Sequence, residues 1–158
     1  MRVWHTSLIP VLPRQQLISQ YRECCSIMKS IAEKGTPNHI LVNKVMDYPL
    51  AHFAAYTSLI LKEMKKRGYK TRADAIERFC SNYEKVTERH PQEDADYFLD
   101  HYGGGNIFTS DYEDLHWHDK RYYIQCLYNL QEKYDCGGIS EDEWEKIVKD
   151  AAERRIDI

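Results

Sequence analysis

No run of this sequence is apolar for long enough to cross a bilayer. The longest, Ala54 to Leu61, already contains tyrosine, threonine and serine, whereas a spanning helix needs about 20 apolar residues. No Cys-x-x-Cys pair occurs among the cysteines at 24, 25, 80, 126 and 136. An odd set without such a pair points to free thiols in a reducing compartment. The opening residues carry Arg2 and His5 and lack an apolar core, so no secretory leader is expected. A cytoplasmic location and no membrane partner are the expectation. Glycine is scarce, and Gly103-Gly104-Gly105 takes three of the 7. No strand pattern precedes that triplet and no Gly-Lys-Ser/Thr follows it, so it reads as a loop rather than a phosphate cradle. No strand alternation and no internal repeat stand out anywhere.

What is present is a folded chain with a core. Hydrophobic residues make up 42% of 158, enough for a single domain spanning 1–158. The net charge of −3 hides an asymmetry. Residues 1–72 hold 12 Lys and Arg against 4 Asp and Glu, a net +8. Residues 73–158 hold 10 against 21, a net −11. A one-sided field of this kind steers a polyanion to one face, and it equally suits two halves that pair with each other.

Helical periodicity runs through the whole chain. Pro13 is placed to open a helix and Gly35 to close it, with Leu17, Tyr21, Cys24, Met28 and Ile31 on one side. Glu23 projects from the opposite side, near Gln16, Ser19 and Ser26. A second helix starts at Asp47-Tyr48-Pro49 and stops at Gly68, burying Leu50, Phe53, Thr57, Ile60, Leu61 and Met64. Thr71 with Asp74 has the spacing of a capping box before Ile76, Phe79, Cys80, Tyr83 and Val86. A short helix spans about 92–102. Another spans 118–133, with Ile124, Leu127, Leu130 and Tyr134 inward. Ser140 with Glu143 caps an acidic last helix carrying Trp144, Ile147 and Val148. The expected fold is an all-α, compact single-domain bundle with the N-terminal segment packed near the first helix.

Three groups of residues carry candidate chemistry. The chain opens Met1-Arg2-Val3-Trp4-His5, and the first helix begins Arg14-Gln15-Gln16-Leu17 and continues through Tyr21-Arg22-Glu23. An amine, a carboxylate and guanidiniums brought together suit chemistry on a sugar–phosphate backbone, although on composition alone Arg22 and Glu23 read as ordinary surface charges. The second group, Lys66-Arg67-Gly68-Tyr69, ends a helix. The third, His116-Trp117-His118-Asp119, supplies only two metal ligands, so no metal is expected. The 12 tyrosines could stack on bases. Most fall at core spacing, with Tyr21, Tyr48, Tyr69 and Tyr102 as exceptions.

These residues resemble the pyrimidine-dimer DNA glycosylase/AP lyase family, the endonuclease five type, in a divergent bacterial or phage branch. Leu12, Gln15, Leu17 and Tyr21-Arg22-Glu23 carry the likeness in register. Lys66-Arg67-Gly68-Tyr69 continues it, and His118-Asp119 is a fainter match. The resemblance implies an N-terminal amine as nucleophile, here that of Met1, with Glu23 as acid/base and charge-stabilising carboxylate. An α-amine suits this because its reference pKa of about 7.7–8.0 leaves part of it neutral at pH 7. Arg2, Arg14, Gln15, Arg22, Lys66 and Arg67 would contact DNA. Gln16, Tyr21, His118 and Asp119 would line the cleft. The implied partner is double-stranded DNA with a damaged or abasic site, and no cofactor is implied.

The sequence departs from the family pattern in four places. Arg2 is too bulky a second residue for Met1 removal. Ser26 stands where the family has a second arginine, and Gln16 where it has histidine. An acidic segment replaces the basic aromatic tail. A relative that binds nucleic acid or a nucleotide-like ligand without cleavage is the alternative these departures favour.

Overall fold

A computed structural model describes residues 1–102, 107–110 and 116–156. The triple glycine lies outside the described residues. Six α-helices account for most of the rest: α1 (Arg14–Lys34), α2 (Leu50–Lys66), α3 (Ala73–Thr87), α4 (Pro91–Tyr102), α5 (Lys120–Asp135) and α6 (Glu141–Glu153). Two 3-10 turns, Thr6–Val11 and Asn43–Asp47, precede α1 and α2. Among the described residues the only extended pairing is an isolated bridge between Thr109 and His116. The fold is all-α, as the periodicity predicts. No helix among the described residues is long and apolar enough to cross a membrane.

Helix ends follow local chemistry. Gly35 closes α1 at φ 72°, and Gly68 follows α2 at φ 73°, a left-handed turn that glycine adopts without steric cost. Ser140 and Glu143 form the expected capping box, Glu143 Oε2 accepting the Ser140 backbone N–H at 3.3 Å. Thr71 caps nothing. The N-cap of α3 is Arg72, and the Asp74 carboxylate is drawn to the Arg72 and Arg78 guanidiniums at 2.8 and 2.7 Å. Two cations compete better for that carboxylate than a neutral backbone amide does.

Helix α2 is the central rod. Residues 52–57 are all buried, because α4, α1 and the Thr6–Val11 turn pack around it. On α1 the expected stripe is buried, and Gln20 and Ile27 are buried with it at 0% and 1% exposure. The second face exists because α1 meets both α2 and α3. Tyr21 turns into that interior, against Ala54, Ile76 and Phe79.

Side chains from four helices hold the N-terminal segment. Gln20 Oε1 on α1 accepts the Trp4 N–H at 3.0 Å. The Tyr56 hydroxyl on α2 donates to the Trp4 carbonyl at 2.9 Å, and the Tyr122 hydroxyl on α5 donates to the Val3 carbonyl at 2.6 Å. On α6, Glu143 Oε1 accepts the Arg14 N–H at 2.9 Å, filling the capping role that Pro13 cannot. Arg67, just past α2, donates to the carbonyls of Ile9, Pro10 and Leu12 at 3.2, 2.9 and 2.7 Å.

Candidate functional site

Because the N-terminal segment runs back along α1, its first residues come to rest beside the middle of that helix. The Arg2 N–H donates to Glu23 Oε2 at 3.1 Å. Met1 is about half exposed, at 48%, while Val3 and Trp4 are buried behind it. The Arg2 guanidinium lies over the Trp4 ring, 5.8 Å from its centroid. The structure therefore brings the chain start and Glu23 together.

Arg2 also stands on the wall of an open cleft of about 550 Å³. Lys44 and Arg121 add two further cations. The aromatic surface comes from Trp117, Tyr122 and the exposed Tyr128, and Ile40 and Leu41 form an apolar rim. Asp119 lines the cleft too, and its carboxylate caps α5 by accepting the Tyr122 N–H at 2.8 Å. Burial raises the Tyr122 phenol well above its ordinary value. It is therefore a neutral hydroxyl that donates to the Val3 carbonyl.

The remaining expected site residues separate. Arg14, Gln15 and Arg22 are exposed along the solvent face of α1, and the Arg14 guanidinium covers the Tyr69 ring at 5.5 Å. Gln16 is half-buried, with Oε1 out of solvent and unpartnered. Lys66 is exposed at the far end of α2. Arg67 is beside it, but its guanidinium is taken up by Glu63 at 2.7 Å and the three carbonyls already described. That end of the molecule is about 13 Å from Glu23 along the α1 axis, by helical rise.

Two cleft expectations need correcting. Tyr21 faces α3 rather than the cleft, for the packing reason given above. His118 is 3% exposed and belongs to the core. Its Nδ1 accepts the Thr6 N–H at 3.0 Å, and its ring stacks on His5 at 5.1 Å. His5 Nδ1 accepts the Ser7 N–H at 3.1 Å, leaving Nε2 to donate to the His118 carbonyl at 2.7 Å. Burial pushes His5 down to about 4 and His118 well below its ordinary value. Both rings are neutral supports of the N-terminal segment. Among the described residues no three or more His, Cys, Asp or Glu side chains cluster as metal ligands would.

Lys44, Arg121, Tyr122 and Tyr128 were not expected from sequence. The charge asymmetry pointed away from Arg121, which sits in the acidic half. The signal that could have found them is the α5 spacing: Arg121, Gln125 and Tyr128 recur at i, i+4 and i+7 on one face.

An all-helical protein whose first residues meet a carboxylate beside a cationic, aromatic cleft is the class that fold and site define. Residues 1–77, just under half of the chain, match the family model for pyrimidine dimer DNA glycosylase. The matched segment contains Met1, Arg2, Glu23 and Lys44, whereas Trp117, Arg121, Tyr122 and Tyr128 lie beyond it. No curated protein and no solved structure matches the chain.

Proposed function

We propose that this protein is a DNA glycosylase with AP-lyase activity, acting on damaged or modified bases in double-stranded DNA through the Met1 amine. The family match over residues 1–77 supports DNA glycosylase chemistry. The observation that carries the mechanism is the Arg2 N–H to Glu23 hydrogen bond at 3.1 Å, since it fixes the residue next to the amine against a carboxylate.

In this reading the neutral Met1 nitrogen attacks C1′ of the damaged nucleotide. The C1′–base bond breaks and its electron pair leaves with the base. The Glu23 carboxylate stabilises the positive charge that develops on the sugar. It then takes the proton lost from the amine and passes it to O4′ as the C1′–O4′ bond breaks and the Schiff base forms. The same carboxylate next takes a C2′ proton; the C–H electron pair forms the C2′–C3′ double bond, the C3′–O bond breaks, and the 3′ phosphate leaves with its electron pair, cutting the strand. Arg2, Lys44 and Arg121 hold backbone phosphates. Arg14, Gln15, Arg22 and Lys66 add contacts along the exposed side of α1 and the end of α2. Asp119 holds the cleft edge by capping α5.

Borohydride trapping on duplex containing an abasic site tests the reading. The free chain should form a covalent adduct, and a chain with an uncleaved N-terminal tag should not. Equal trapping by both would remove the amine from the mechanism. A second reading, a nucleotide-like ligand held without cleavage, draws on the cleft itself, whose volume of about 550 Å³ lies within the usual range of small-molecule sites. Binding of a free nucleotide without duplex binding or trapping would select it.

A further inference from the structure

At the rim of the cleft stands a turn with an unusual outward face. Ile40 is 87% exposed and Leu41 54% exposed. Burying an isoleucine or leucine side chain is favourable, so two adjacent ones left in water at a cleft mouth call for an occupant.

The turn is stiff. The His39 carbonyl accepts the Val42 and Asn43 N–H groups at 2.9 and 2.8 Å, and Asn43 Oδ1 accepts the His39 N–H at 3.1 Å. Thr36 Oγ1 donates to the same Asn43 oxygen at 3.3 Å, and the Ser30 hydroxyl on α1 donates to the Thr36 carbonyl at 2.8 Å. Behind the tip, Val42 and Val45 are fully buried. The two apolar side chains are thus presented on a braced support.

The surroundings state what the tip meets. Lys44 follows it in the chain, Arg2 and Arg121 stand on the same cleft wall, and Tyr122 and Tyr128 supply aromatic surface. Three cations with aromatic rings fit one phosphate-linked base. A rigid apolar tip beside such a receptor fits the gap that the base leaves behind, because apolar side chains inserted between base steps offset the lost stacking.

We propose that Ile40 and Leu41 form a wedge that enters the DNA base stack as a nucleotide moves out into the Arg2–Lys44–Arg121 cleft. The inference rests on the DNA glycosylase reading and adds the residues that open the duplex. They are positioning residues, since they act on the stack rather than on the reacting atoms.

The test uses the full chain and duplex carrying a non-cleavable tetrahydrofuran abasic analogue, with 2-aminopurine beside or opposite it. Wild type should raise 2-aminopurine fluorescence, and I40A/L41A should lose most of that rise. Unstacking costs a few kcal/mol, and 1.36 kcal/mol is tenfold in rate. Strand scission at a paired abasic site should therefore fall about tenfold or more in the double variant. At an abasic site in an unpaired bulge, where no stack must open, the loss should be about threefold or less. Ile40→Leu, which keeps the apolar volume, should behave as wild type.

Equal losses on paired and bulged sites would overturn the wedge, as would unaltered fluorescence in the double variant. Absence of borohydride trapping by wild type would overturn the glycosylase reading itself. The two failures are therefore separable.

Discussion

Gln20 and Trp4 are joined by a hydrogen bond hidden from solvent: the amide oxygen of one accepts the backbone N–H of the other at 3.0 Å. Through it the middle of α1 sets the position of the segment that ends at Met1. A buried donor left without a partner costs about 1–3 kcal/mol. Gln20→Leu fills the space but accepts nothing, so its urea midpoint should drop by that amount divided by the m-value. Under the proposed mechanism, strand scission at an abasic site should also fall by more than the unfolded fraction explains, because the Arg2–Glu23 contact loosens with it. A variant as stable and active as wild type would show that the bond positions nothing.

Lys66 and Arg67 are neighbours with different expected behaviour. Arg67 holds three carbonyls of the N-terminal segment and Glu63 at once. Arg67→Ala leaves a half-buried carboxylate and freed carbonyls, so it should cost about 2–3 kcal/mol of stability, in the range of hydrogen bonds to charged groups. Lys66→Ala touches no such network and should stay within about 0.5 kcal/mol of wild type. Thermal melts of the two variants side by side check this, and equal melts would contradict it.

How much of this was legible beforehand follows from the range of the interactions. Helix spans, the αL glycines at 35 and 68 and the Ser140–Glu143 box are local, so periodicity and capping rules found them. Glu23 beside the chain start was reachable through family resemblance. Gln20 was not, because a glutamine within a helix reads as solvent-facing until its partner 16 residues earlier is known. The resemblance put Tyr21 and His118 in the cleft; helical periodicity alone set Tyr21 on the inward stripe of α1, and nothing local to His118 shows that Thr6 and His5 close over it. The cleft draws on Arg2, the 40–44 turn and α5, which only the tertiary fold brings together.

The buried histidines make stability depend on pH. His5 is depressed from 6.5 to about 4, first by burial, and burial also holds His118 well below its ordinary value. A group that binds protons more weakly folded than unfolded favours the unfolded state on acidification. The stability they support is therefore complete above about pH 6.5 and is lost on acidification, for His5 as pH falls from there through 4. For His5 this amounts to roughly 3 kcal/mol. Urea midpoints from pH 8 to pH 4 should fall across that window, and His5→Gln should flatten the decline. A midpoint that does not change between pH 7 and pH 5 would contradict the assignment.

Glu23→Gln keeps the size of the side chain and an oxygen for the Arg2 N–H while removing the charge. It should fold normally. On its proposed acid/base role, strand scission should drop about 100- to 10,000-fold, the usual contribution of such groups, while binding to the tetrahydrofuran duplex changes little. Activity near wild type would leave Glu23 as a purely structural acceptor.

The cleft joins one cation from the acidic half to two from the basic half, and salt dependence can show whether all three meet phosphate. Each phosphate neutralised on duplex DNA contributes about −0.9 to the slope of log affinity against log salt. Arg121→Ala should therefore weaken duplex binding and reduce the steepness by about one unit, despite lying among residues of net negative charge. Lys149→Ala is the matched control, since that lysine is exposed on α6 and lines no part of the cleft, and it should alter neither quantity. Arg154 would be a poor control. It is paired with Asp150 at 2.8 Å and lies over the Tyr123 ring at 5.5 Å, so its removal would also disturb the support of His5. Affinity would be measured for intact and tetrahydrofuran-containing duplex across a salt series. If Arg121→Ala left the slope unchanged on both, phosphate would not reach that wall of the cleft, and the nucleotide-ligand reading would gain over the DNA enzyme.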